Sequence, residues 1–90
     1  MNQETREAWR IICDMGYEEA VVFDSPSYDE AIIGVTDEGR VVYDYNKMVH
    51  SLRIQDGMTE EEAIEFLEYN TIRACAYVEN APIIMHPIEN

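Results

Sequence analysis

Two apolar runs, Ala31–Thr36 and Arg40–Tyr45, flank the tripeptide Asp37-Glu38-Gly39. A three-residue loop ending in glycine fits a type I turn closed through a bulge, with Gly39 at positive φ, so the stretch predicts a β-hairpin. In the second strand Val41, Tyr43 and Tyr45 share one face and Arg40, Val42 and Asp44 the other. Gly34 in the first strand marks a place where a neighbouring group can approach closely. A hairpin with one apolar face must be covered, and the rest of the chain is read for what covers it.

Ala8, Ile11, Ile12 and Met15 recur at helical spacing within Glu4–Met15, with Gly16 as the stop. Ala20–Phe23 reads as a short strand, and 24–30 as a loop with a helical turn begun by Ser25 and Pro26. Asn46 is expected to cap a second helix that carries Met48, Val49 and Leu52 inward and runs to about Ile54, before Asp56-Gly57. Thr59-Glu-Glu-Glu62 is a capping box that opens a third helix. Its inner stripe is Ala63, Ile64, Leu67 and Thr71, with Glu61, Glu65 and Glu68 opposite. Ile72 falls on that acidic side if the helix runs straight, which predicts an end, a kink or a partner near Asn70. Pro82–Met85 reads as a closing strand. The order α-β-β-β-α-α-β predicts one α+β domain over residues 1–90, a small, mainly antiparallel sheet with three helices on one face.

An apolar fraction of 47% gives enough side chains for a core, so the chain is expected to fold despite its charge. Cys13 and Cys75 lie in apolar segments without Cys-x-x-Cys spacing and read as buried free thiols. Met1–Glu7 is polar and acidic rather than a signal or transit sequence, and no apolar run approaches ~20 residues. A cytoplasmic protein without membrane partners is the expectation.

The charge narrows the function classes. Nineteen acidic residues against six basic ones give a formal net charge of -13. A chain of this mass exposes roughly 5,400 Å², about one uncompensated negative charge per 420 Å². Such a surface repels nucleic acid and anionic membranes and attracts basic proteins. Lys47, His50 and Arg53 make 46–58 locally less acidic, but they read as one face of an ordinary amphipathic helix.

No motif points to catalysis. Ser25 and Ser27 lack a Gly-x-Ser-x-Gly setting, and a glycine-rich phosphate loop is absent. His50, His86, Cys13 and Cys75 stand too far apart for paired zinc ligands. Asp24, Asp29 and Glu30 bracket a loop that a hard cation would fit, yet Pro26 and Tyr28 occupy the places where an EF-hand needs oxygens. The chain is read as a non-enzyme without metal or cofactor.

An acidic domain can offer carboxylates where phosphates would sit. B-DNA presents roughly 18 charges over ~31 Å, the same order as this chain's net charge. Asp24, Asp29, Glu30, Asp37, Glu38 and Asp44 lie on or beside the hairpin, and Glu61, Glu65 and Glu68 form a helical stripe. Tyr43 and Tyr45 beside acids suit an interface, because the ring buries area while the hydroxyl and the carboxylates reach arginine. Trp9 reads as a core anchor.

The stretch from Phe23-Asp-Ser-Pro-Ser-Tyr28 through Val41-Val-Tyr43 resembles a family of short acidic proteins of Firmicutes and their prophages, recorded as hypothetical. Asp56-Gly-Met-Thr-Glu-Glu-Glu-Ala63, Glu68–Arg73 and Ala81–Met85 continue the similarity. The resemblance implies no activity, but its mobile-element setting implies an inhibitor of a host defence protein, of anti-CRISPR or anti-restriction type. The expected function is therefore a non-enzymatic acidic interaction protein that binds a basic, nucleic-acid-binding partner. Two alternatives stand beside it. One is an accessory domain that binds through an apolar patch or as a homo-oligomer. The other is a small enzyme or metal protein using the Asp24–Glu30 loop.

Overall fold

The computed structural model describes residues 7–23 and 28–88. It is an α+β fold in which helix α1 (Glu7–Asp14) precedes the hairpin β1 (Ile32–Val35) and β2 (Val41–Asp44). Helices α2 (Tyr45–Asp56) and α3 (Glu60–Phe66) follow, and strand β3 (Ile83–Met85) closes the chain. Between α3 and β3 the helix runs on without a break, as a π-helical segment Leu67–Ile72 and a last α-helical turn Arg73–Cys75.

Local chemistry sets most boundaries. The end of α1 is a Schellman motif: Gly16 at φ 96° donates to Cys13 O at 2.9 Å, and Tyr17 donates to Ile12 O at 3.2 Å. The hairpin loop is built as its composition requires. Gly39 N donates to Thr36 O at 2.9 Å, Gly39 sits at φ 87°, and Thr36 N donates to Arg40 O at 2.8 Å. The Thr36 hydroxyl also accepts from Arg40 N at 3.1 Å, which tightens the same turn. At α3 the capping box is complete. The Thr59 hydroxyl accepts from Glu62 N at 3.1 Å, and Thr59 N donates to Glu62 Oε1 at 2.9 Å.

The sheet is mixed, in the order β1-β2-β3. β2 pairs antiparallel with β1 and parallel with β3. The parallel pairing differs from the mainly antiparallel sheet expected. It follows from the two helices between β2 and β3, which form a crossover that returns the chain to the same end of the sheet. A bulge interrupts the β1 register between Ile32 and Gly34. Gly34 has nothing within 4 Å of its Cβ position, so it serves the bulge rather than a close approach.

Ala20–Phe23, expected as a strand, is irregular. Rings rather than a ladder hold it: Phe23 packs on Tyr28 at 5.7 Å and on Tyr43 at 4.8 Å between centroids. Its amide donates to the Tyr43 hydroxyl at 3.1 Å, so that donor is satisfied without a neighbouring strand. The helical turn expected to begin at Ser25 and Pro26 falls on residues outside those described. A short 3₁₀ turn comes later, at Asp29–Ala31, after Tyr28 in the left-handed region at φ 54°.

The core lies on the face of Val41 and Tyr43. Ile12, Tyr28, Ala31, Met48, Leu52, Ala63 and Leu67 join them in one buried cluster, and Trp9, Ile32, Phe66, Ile72 and Ile84 pack against it. On the other face Val42, Asp44, Ile83 and Met85 are half-buried. Cys13 and Cys75 are half-buried free thiols rather than fully buried ones.

The π segment resolves the misplacement of Ile72. Ala63, Leu67 and Thr71 are buried at successive spacings of four, and a straight α-helix would carry the next residue round toward solvent. Hydrogen bonds to the fifth residue back, as from Arg73 N to Glu68 O, spend an extra residue per turn. The winding lags, and Ile72 stays packed against the core.

Candidate protein-interaction surface

The acids near the hairpin do not form one face. Asp24 lies outside the described residues. Glu30 is exposed and Asp29 half-buried on the 3₁₀ turn, at the open end of the ribbon. Asp37 and Glu38 are exposed at its tip, a strand length of roughly 13 Å away. Glu38 there joins Glu18, Glu19, Tyr17 and Asn80 around a depression of about 350 Å³.

Two residues expected at the interface have inward tasks. Tyr43 is 0% exposed, and its hydroxyl accepts from the Phe23 amide; it is core, because its strand face is the one the helices cover. Asp44 is the N-cap of α2, its Oδ1 accepting from Lys47 N at 3.1 Å. The cap was expected at Asn46. It falls two residues earlier because Asp44 keeps extended backbone while Tyr45 already winds into the helix. Tyr45 therefore leaves the strand face it was assigned to, and its ring stacks on His86, centroids 4.3 Å apart and planes 31° from parallel.

Glu61, Glu65 and Glu68 are all exposed along α3 and the π segment. Two shallow depressions border this face and meet at Tyr69, which is 68% exposed. The first, about 610 Å³, is lined by Met58, Glu62, Glu65, Phe66, Tyr69 and Asn70. The second, about 530 Å³, is lined by Tyr45, Glu68, Tyr69, Ile72, Arg73 and His86. The Arg73 guanidinium lies 5.7 Å from the Tyr69 ring centroid, within cation–π range. Burial pushes the Tyr45 hydroxyl above its ordinary pKa, and the Glu68 carboxylate adds to the shift.

Arg73, His86, Met58 and Phe66 were not foreseen here. The spacing Glu65-Tyr69-Arg73 does place one residue per helical turn on a common side, a signal open to sequence reading. His86 comes from the far end of the chain, beyond β3, and carries no local signal.

Among the described residues no three His, Cys, Asp or Glu side chains gather as a metal site would require. No helix among them is long and apolar enough to cross a membrane. Burial raises the Cys75 thiol pKa, the nearby Arg40 charge opposing, and Cys75 Sγ donates to Thr71 O at 3.4 Å. Burial here thus disfavours the reactive thiolate. Comparison with protein-family models, curated proteins and solved structures finds no match for the chain.

Proposed function

We propose that this protein is a non-enzymatic acidic interaction protein that docks through the α3 face onto a basic surface of a nucleic-acid-binding partner. The observation that carries the reading is the exposure of Glu61, Glu65 and Glu68 along one helix, beside the solvent-facing Tyr69. On such a face carboxylates take the places of phosphates, and the partner's arginines and lysines make charge-assisted hydrogen bonds to them. A net charge of -13 would speed the encounter and weaken it with salt. The test is capture of partners from lysate across a salt series, with nucleic acid as competitor. Wild type is compared with the triple reversal Glu61→Lys, Glu65→Lys, Glu68→Lys. Loss of capture in the reversed variant, with an unchanged melting temperature, supports the reading; undiminished capture overturns it.

A second reading has its own observation. Between α1 and β1 an apolar groove of about 190 Å³ is lined by Ala8, Ile11, Ile12, Met15, Ile32, Ile33, Gly34 and Val35. Ile11, Met15 and Ile33 are each about half exposed there, beside the outer edge of β1, which pairs with no further strand among the described residues. An accessory domain or homo-oligomer would associate through this groove with little response to salt. Sedimentation of the free protein at low and high salt separates that behaviour from the first.

A further inference from the structure

The two depressions that meet at Tyr69 differ in one respect. Toward the C-terminus of the helix the ring carries the Arg73 guanidinium. Toward the N-terminus the neighbours are Glu65 one turn back, Glu62, and the apolar side chains of Met58 and Phe66. Glu62 uses Oε1 to accept from Thr59 N, so its capping role engages one carboxylate oxygen, and the same residue lines the groove. Tyr69 is 68% exposed and Glu65 is exposed, so both are accessible from solvent.

We infer that this N-terminal depression receives an arginine side chain of the partner, stacked on Tyr69 and held by Glu65 and Glu62. The inference rests on the proposed function and specifies the partner's chemistry at that face. A guanidinium is flat and weakly hydrated, and stacks on aromatic and apolar surface while donating a fork of hydrogen bonds to a carboxylate. Met58, Phe66 and Tyr69 supply the surface, and Glu62 and Glu65 supply the acceptors. A lysine ammonium is compact and strongly hydrated; it would gain the charge term at the rim and little from the apolar floor. The Arg73–Tyr69 contact shows within this molecule that the ring accepts a guanidinium.

The test uses two fluorescently labelled peptides of equal charge, hexa-arginine and hexa-lysine, with affinities read by anisotropy on the full chain at physiological salt. The expected result is roughly two- to fivefold tighter binding of hexa-arginine, within the span of an exposed cation–π contact. Tyr69→Leu should erase the preference by weakening hexa-arginine more than hexa-lysine, and Tyr69→Phe should retain it. Equal affinity for both peptides, or a preference that survives Tyr69→Leu, overturns the arginine site. If the equal binding is also abolished by the triple reversal at Glu61, Glu65 and Glu68, the acidic docking face stands without it. Binding of neither peptide removes the arginine site and the acidic face together.

Discussion

The Tyr28 hydroxyl and the Thr71 hydroxyl share a buried hydrogen bond of 3.1 Å, although 43 positions separate the two residues. This bond ties the residue that opens the 3₁₀ turn before the hairpin to the next-to-last residue of the π segment. Tyr28 holds the left-handed region at φ 54°, a conformation that persists in a large side chain only when its surroundings fix it. The bond and the ring contact with Phe23 are such surroundings.

Removing one hydroxyl leaves the other buried without its partner. Tyr28→Phe is expected to lower stability by about 1–3 kcal/mol, and Thr71→Val to do the same. The double variant should lose less than the sum. Urea denaturation of the four proteins measures the coupling, and strict additivity would contradict it.

The same hydroxyl gives an alkaline signature. Burial is the main cause that raises the Tyr28 pKa above 10.0; the Asp56 charge adds to it, and the Thr71 bond acts the other way. Once the pH exceeds the unfolded pKa, the unfolded chain releases this proton while the folded one keeps it. Stability from Tyr28 is thus fully present below pH ~10 and falls as pH rises toward the folded pKa. Thermal melts from pH 9 to 11 should show this slope reduced in Tyr28→Phe.

The two helix caps can be removed separately. Thr59→Ala and Asp44→Ala are each expected to cost about 1 kcal/mol, with Thr59→Ser close to neutral. Denaturant midpoints of the three variants test this. An unaffected Asp44→Ala would mean that Asn46, the residue the sequence first suggested, can take over the cap.

Gly39 and Gly16 separate backbone strain from crowding. Both sit at positive φ, so alanine costs roughly 1–2 kcal/mol at either position. At Gly39 a Cβ would also lie 3.2 Å from the Tyr17 ring, whereas Gly16 has open space. Gly39→Ala should therefore be the more destabilising of the two in thermal melts.

The π segment predicts the effect of a deletion. Removing the exposed Asn70 takes out the extra residue, so the helix can run α-helical throughout with Ile72 in the place Thr71 now holds. Helical circular dichroism should be retained while the Tyr28 coupling disappears. A coupling that survives in this background would count against the geometry.

The elements legible in the sequence were those whose causes are local. The Asp37-Glu38-Gly39 turn, the Gly16 stop and the Thr59–Glu62 box each depend on neighbours within a few residues, and each is present as read. The polarity of Glu61, Glu65 and Glu68 was legible because an outer helix face follows from periodicity. What escaped depends on distant partners. Ala20–Phe23 looked like a strand because its valines suit one, and only the meeting of Phe23 with Tyr28 and Tyr43 makes it a ring-anchored coil. Tyr43 looked available because an alternating strand does not reveal which of its faces is covered. Ile72 announced an end, a kink or a partner near Asn70, and the π winding that instead keeps it against the core depends on packing that the local sequence does not show. Tyr45 met His86 only once β3 had been placed.

Asp44 is the last residue of β2 and the N-cap of α2, so no connecting residue separates strand from helix. Such a junction has no slack. If docking on the helical side tilts α2, the central strand must tilt with it, and the flanking strands β1 and β3 are hydrogen-bonded to that strand. A load applied at one side of this small protein would thus be felt at the hairpin tip as rotation of one stiff lever rather than absorbed at a hinge.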